Sequence, residues 1–335
     1  MSLDFTDAAN IADSFLIKKT VRSTILGVVE GLAVLPNRFL VKVDAKNDYF
    51  RTFQPHLGFV RITVARATGI HAPTKEKSGV SKLLSKVVKD VPDCYVKVKL
   101  GAEKEWRTST QKNDHDPEWN ETHDFLVSDY DQIIALDIQD DDLAGDDDIG
   151  IAETTVKNIL LDNGVKELAL THKGEVTNAK LTIQAQFYNF VPDANSLSVQ
   201  GGEGQTEDSI TGIATILIGS VFGLQGNRDE LKPSVQVTWG EQKFQTAVKS
   251  YTPGTDIFNP SYDQAFRIPL TAELLASQAP FRLTLLNAKN ESGSVDIPFQ
   301  DIVSAPGLVR EENFDVGNGV VVRASVSVHG VQLAQ

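Results

Sequence analysis

From residue 58 onward the chain reads as short stretches in which apolar and polar residues alternate, divided by turn residues. This pattern, more than any other in the sequence, limits the possible folds. Residues 95–100 (YVKVKL) place Tyr95, Lys97 and Lys99 on one face and Val96, Val98 and Leu100 on the other. Residues 59–65, 106–110, 122–127, 133–138 and 181–187 continue the series. A period of two describes a half-buried strand, and many such strands at regular intervals describe a sandwich. Residues 191–209, which hold Pro192, Asn195, Ser196, Gly201, Gly202 and Gly204, have the composition of a linker. A second strand series follows at 213–220, 234–239, 244–248, 265–268, 281–286 and 320–328. The halves also echo one another: Asp116-Pro117-Glu118-Trp119-Asn120 corresponds to Asn259-Pro260-Ser261-Tyr262-Asp263. The expected fold is all-β: two tandem antiparallel sandwiches over 58–190 and 210–335, joined by a linker at 191–209.

Residues 1–57 differ. Ile17, Val21, Ile25, Val28, Val29 and Leu32 recur at helical spacing, so 7–33 is expected to be one amphipathic helix, ended by Gly31 and Pro36, with a short strand at 39–43. Residues 81–89 (SKLLSKVVK) form a second helical stretch, interrupting the first strand series. Leu83, Leu84, Val87 and Val88 are its apolar members; Lys82, Lys86 and Lys89 are its basic ones.

Charge narrows the function. The net charge of −13 opposes nucleic-acid binding, which requires a basic face. It also opposes unaided attraction to anionic lipid, so a bound cation or a local basic patch would have to reverse the sign. A single cysteine, Cys94, leaves no internal disulfide and favours a reducing, cytoplasmic setting. The apolar runs are too short to cross a bilayer, and the first residues lack a secretory pattern. Gly-x-Ser-x-Gly and Gly-x4-Gly-Lys are missing and the histidines are scattered, so catalysis is not expected.

Six aspartates, Asp140, Asp141, Asp142, Asp146, Asp147 and Asp148, lie within nine residues between two expected strands. Like charges so crowded repel, and a divalent cation relieves them. Calcium, with its many oxygen ligands and flexible geometry, suits such a loop better than magnesium does. A solvated acidic turn has the same composition.

Three motifs in order and spacing resemble C2 domains over 58–190. Asp140-x-Asp142-x4-Asp147-x2-Gly150 is similar to their third calcium loop. Asp93-Cys94-Tyr95-Val96-Lys97-Val98 is similar to the segment carrying a first-loop ligand, and Pro117-Glu118-Trp119-Asn120-Glu121 to their NPxWNE turn. The resemblance implies calcium as cofactor, with Asp93, Asp140, Asp142 and Asp147 as ligands and Asp148 as a substitute for Asp147. Val87 stands where another first-loop aspartate is usual, which implies an incomplete ion set. It also implies an anionic phospholipid surface as partner. Lys97, Lys99 and Arg107 would meet headgroups, unless theirs is an ordinary solvated face. Lys82, Leu83, Leu84, Lys86 and Lys89 would enter the interface, unless that helix packs on the sandwich. The second sandwich resembles a C2 domain without its calcium residues. Leu35-Pro36-Asn37-Arg38-Phe39 resembles the end of the SMP module that precedes the first C2 domain in extended synaptotagmins and tricalbins. Together these imply a peripheral membrane-binding or tethering protein, at an organelle contact site by that resemblance. The alternative is a scaffold subunit docking a protein through its amino-terminal helix or second sandwich.

Overall fold

The computed structural model describes residues 56–71, 91–101, 103–141, 146–197 and 209–334. The expected helix at 7–33, the strand at 39–43 and the 81–89 helix with Lys82, Leu83, Leu84, Lys86 and Lys89 lie outside them, as does Asp142. Contacts divide the chain into two units, one containing Val60–Phe187 and the other Tyr188–Gln335.

In the first unit the strands are β1 (Gly58–Thr68), β2 (Cys94–Leu100), β3 (Trp106–Arg107), β4 (Glu118–Val127), β5 (Ile133–Asp140), β6 (Asp147–Thr155), β7 (Val165–His172) and β8 (Glu175–Val191), with helix α1 (Val156–Leu161) after β6. Two sheets result, β4-β1-β8-β7 and β6-β5-β2-β3, linked through a single β6–β7 pair, Ile151 opposite Thr171. Alternation holds in β2 from Val96 onward, where Val96, Val98 and Leu100 are fully buried and Lys97 and Lys99 half-buried, whereas Tyr95, on the lysine face, is fully buried too. The three apolar residues face Ile134, Leu136 and Ile138 of β5 across an in-register antiparallel ladder. β1 departs from alternation. It lies between β4 and β8, and its polar Arg61 is buried too, paired with Asp124 of β4.

The second unit contains β9 (Gly212–Phe222), β10 (Pro233–Trp239), β11 (Gln242–Gln245), β12 (Ser261–Leu270), α2 (Ala272–Ala276), β13 (Phe281–Asn287), β14 (Asn290–Ile297), α3 (Phe299–Val303), β15 (Val309–Gly317) and β16 (Val320–Leu333). Its sheets are β12-β9-β16-β15 and β11-β10-β13-β14. The core between them centres on Trp239, Phe281, Leu283, Ile216 and Val326. Leu197, in the segment assigned to the linker, is buried in this same core on a 3-10 turn.

The internal repeat extends to individual hydrogen bonds. Gly69 N–H donates to the Asp116 carboxylate at 2.7 Å, and Gly223 N–H to the Asn259 side-chain oxygen at 3.0 Å. Ala67 N–H reaches the Pro117 carbonyl, as Val221 N–H reaches that of Pro260. Asn120 and Asp263, the last residues of the echoing segments, both have positive φ (52° and 48°), a conformation that Asn and Asp tolerate. Val96 N–H donates to the Thr108 hydroxyl as Val235 N–H does to that of Thr246. The two units can therefore be compared residue by residue.

Candidate cation site

The acidic segment joins β5 to β6 at one end of the first sandwich, beside the start of β2. Asp140 is the last residue of β5 and is only 7% exposed. Its Oδ1 accepts the Asp93 N–H at 2.8 Å, while the Asp93 carbonyl accepts the Asp141 N–H at 2.9 Å. The Asp93 carboxylate accepts the Asn113 N–H at 2.8 Å. These contacts bring together two of the expected ligands, Asp93 and Asp140. Cys94, fully buried, sits opposite Asp140 in the ladder. Burial pushes its thiol up to about 12, reinforced by the negative charges of Asp140, Asp114 and Asp93. Asp114 thus contributes to the negative field here, a role its position in the sequence did not signal.

A β-bulge decides how Asp147 and Asp148 are arranged. Ile138 faces Gly150, but Gln139 faces Asp148 and Asp140 faces Asp147, because Ile149 is inserted as an extra residue. Directly opposed residues share a sheet face. Asp147 therefore stands on the face of Asp140 and Cys94. Asp148 stands on the opposite face with Gln139 and Tyr95, its side chain 52% exposed and 3.7 Å from His172 Nδ1. Without the bulge, Asp148 would take the place opposite Asp140.

The Tyr95 face carries the expected basic residues. Lys97 lies opposite both Arg107 and Asp137, and Lys99 opposite Ala135. Burial raises the Asp137 carboxyl above its ordinary value, and the Asp148 charge adds to this, against the lowering hydrogen bond from Gln139. The Arg107 guanidinium stacks on the Tyr95 ring at 3.4 Å and donates to Asp141 at 2.9 Å and to the Thr110 hydroxyl at 3.0 Å. Thr110 in turn donates to Asp141, and this bond, with the Arg107 charge, lowers the Asp141 carboxyl. The Tyr95 hydroxyl donates to Asp146 at 2.6 Å. Burial, with the bond to Asp146, raises the phenol, so it remains a protonated donor. Arg107 is thus engaged by an aspartate of the acidic segment, which strand alternation could not reveal.

The corresponding end of the second unit provides an internal contrast. Lys232 N–H donates to the Asn287 side-chain oxygen at 2.7 Å, and the Lys232 carbonyl accepts the Ala288 N–H at 2.8 Å. These are the bonds of Asp93, Asp140 and Asp141, made on the same backbone path by lysine, asparagine and alanine. The connection from β13 to β14 is a two-residue turn, with Asn287 directly opposite Asn290. So short a turn cannot wrap an ion, and Lys232 brings a positive charge where Asp93 brings a negative one.

The first end suits calcium in the chemistry of its donors: hard carboxylate oxygens, in a negative field sensed by Cys94. Among the described residues no group of three or more His, Cys, Asp or Glu side chains is already gathered to hold an ion. Among them, too, no helix is long and apolar enough to cross a membrane.

The C2 domain family matches residues 58–170 and again 214–314. No curated protein sequence matches the chain. Among solved structures, the calcium-bound pair of C2 domains of extended synaptotagmin 2 aligns with a TM-score of 0.65 at 15% identity, covering 84% of this chain and 100% of that one. The SMP module of extended synaptotagmin 2 together with its pair of C2 domains aligns with a TM-score of 0.65 at 16% identity, covering 98% of this chain and 68% of that one. At these identities the likeness establishes the fold. The family match over both strand series, with the sandwich topology of each unit, shows that the chain belongs to the C2 domain family and carries two such domains in tandem.

Proposed function

We propose that the chain is a calcium-responsive peripheral membrane-binding or tethering protein, without catalytic activity, that senses the ion through its first C2 domain. The observation that carries this reading is the internal contrast. On one backbone path with one set of hydrogen bonds, the first domain places Asp93 and Asp140, and the second Lys232 and Asn287. The fold does not require carboxylates at these positions, since the second domain builds the same bonds without them. The ligands are Asp93, Asp140, Asp142 and Asp147; the bulge that puts Asp147 opposite Asp140 favours it over Asp148. The family match and the likeness to calcium-bound C2 domains of extended synaptotagmin 2 support the same reading.

Calcium, when bound, supplies the positive charge that cancels the acidic end. The chain's own residues then set the local field: Lys97, Lys99 and Arg107 lie on adjacent strands of one sheet face, Arg107 nearest the acidic end and Lys99 farthest from it, and meet lipid phosphates once the aspartates are neutralised. The second domain acts without the ion.

Sedimentation of the whole chain with phosphatidylserine vesicles at physiological salt, with calcium or with chelator, tests the reading. Binding in calcium alone is expected, lost in the Asp140→Asn, Asp142→Asn double variant. Binding retained by that variant refutes the assignment. No binding in either condition favours the scaffold alternative.

A further inference from the structure

We propose that Asp137 selects the lipid that the first domain binds: with Lys97 it forms a site for an anionic headgroup that carries an ammonium group beside its phosphate. This inference rests on the lipid reading of the Lys97 face above and names the headgroup that the face takes. Lys97 of β2, Asp137 of β5 and Ile151 of β6 stand opposite one another in one row across the outer sheet face, and Arg107 of β3 extends the row beyond Lys97. A lysine and an aspartate directly opposed on neighbouring strands can pair, yet these two do not. The Lys97 ammonium lies over the Tyr95 ring, 5.4 Å from its centre. The Asp137 carboxylate accepts one side-chain bond, from the Gln139 amide at 2.6 Å, and among the described residues no cation is paired with it. Ile151, 46% exposed, offers it no donor from the third strand. An ionised carboxylate has about four acceptor positions, so most of those on Asp137 are open, beside a lysine that has no carboxylate partner either.

Such a carboxylate is costly where it stands. Aspartate is depleted in strands, and burial disfavours its charged form, which raises the Asp137 carboxyl. Groups perturbed in this way gather at functional sites. A ligand's ammonium would compensate the charge: it donates charge-assisted hydrogen bonds to Asp137, while the phosphate, a few bonds away, meets Lys97. A headgroup with a phosphate and no ammonium gains Lys97 but meets the Asp137 charge uncompensated. Two opposed residues of opposite sign thus read the two charges of one headgroup.

The second domain is again the control. The Thr108 and Thr246 hydrogen bonds align the two sheets, and both carry a bulge at the same place, Ile138 facing Gly150 before it as Leu285 faces Gly293. The row of Arg107, Lys97, Asp137 and Ile151 then corresponds to Gln245, Gln236, Thr284 and Ser294. None of those four carries a charge. The fold builds this row without a carboxylate, and the first domain has one where it also has the lysine and the arginine.

Sedimentation of the whole chain in calcium tests the selection, with phosphatidylcholine vesicles that hold either phosphatidylserine or phosphatidylglycerol in the same proportion. These two lipids have the same net charge, and only phosphatidylserine has an ammonium that donates hydrogen bonds. The wild type is expected to favour phosphatidylserine by about tenfold, the weight of one charge-assisted bond. In Asp137→Asn the basic face loses a negative charge, so binding to phosphatidylglycerol rises while the preference disappears. Equal binding of the wild type to both vesicles, or a preference that persists in Asp137→Asn, overturns the selection and leaves the lipid reading standing. Binding of the wild type to neither overturns the lipid reading and the selection with it. Calcium uptake by the variant, read by calorimetry, shows that it is folded. If it is not, competition on the wild type takes its place: O-phosphoethanolamine should displace the chain from phosphatidylserine vesicles at lower concentration than the more highly charged glycerol 3-phosphate, and equal or weaker displacement overturns the selection.

Discussion

Replacing Asp124 by alanine should be among the most damaging single changes in the first domain. Arg61 in β1 and Asp124 in β4 meet through two parallel bonds, Nε to Oδ1 at 2.8 Å and Nη2 to Oδ2 at 2.9 Å, with side chains only 3% and 5% exposed. This is the planar fork-to-fork geometry in which Arg binds carboxylate best. The intact pair need not add much net stability, because both charges were removed from water to form it. Removing one partner is different: the buried Arg61 guanidinium then loses both bonds that Asp124 supplies, which costs about 3–5 kcal/mol. At about 4 °C per kcal/mol for a domain of this size, unfolding should shift down by about 12–20 °C. Hydrogen exchange on the intact chain, read by mass spectrometry, separates the domains. Peptides of β1 and β4 should lose protection in Asp124→Ala, while β9 and β12 serve as an internal reference. The double variant Arg61→Met, Asp124→Leu should recover most of the loss, since an apolar pair of similar volume replaces the buried ions. A loss below about 1 kcal/mol in the single variant, or a double variant as damaged as the single, would refute the reasoning.

Two further outcomes follow from the site. Calcium at about a hundredfold over its dissociation constant should stabilise the first domain by about 2.7 kcal/mol and leave the second unchanged, measured by exchange with and without chelator; equal protection in both conditions contradicts a first-domain site. Cys94, with its thiol pushed from 9.0 to about 12, should resist alkylation at pH 8 in the native chain and react on unfolding. The sign follows from the raised value. The neutral thiol's contribution to stability is intact below pH 9.0 and is lost as pH rises toward about 12, so the wild-type chain should lose more stability across that range than Cys94→Ala does.

Strands with one dry face were plain in the sequence, because burial on one side imposes a period of two; β2, β5, β10 and β13 match the expected segments closely. β14 and β15 were not. Asn290-Glu291-Ser292-Gly293-Ser294 carries no apolar alternation, yet it pairs along β13, and Val309–Gly317 pairs along β16. These are edge strands, held by backbone hydrogen bonds that side-chain pattern does not encode. The Asp-Pro-Glu-Trp-Asn and Asn-Pro-Ser-Tyr-Asp echo was legible because a local turn conformation, with positive φ at its end, restricts residue type directly.

For the site, the sequence by itself determined that six aspartates crowd one segment, that Asp93 precedes a strand, and that the second half lacks such a segment. Those facts are local: charge density and spacing along the chain are enough to state them. Only the tertiary structure decided which aspartates share a face. One inserted residue, Ile149, turns Asp147 toward Asp140 and Asp148 away, and a register depends on the partner strand. Only the tertiary structure joined Arg107 to Asp141 across 34 residues, and Tyr95 to Asp146 across 51. The same is true of the equivalence of Asp93 with Lys232, which emerges from matched hydrogen bonds at positions whose residues differ in charge. Composition gives a segment its charge; the ladder that fixes its neighbours determines what the charge can do.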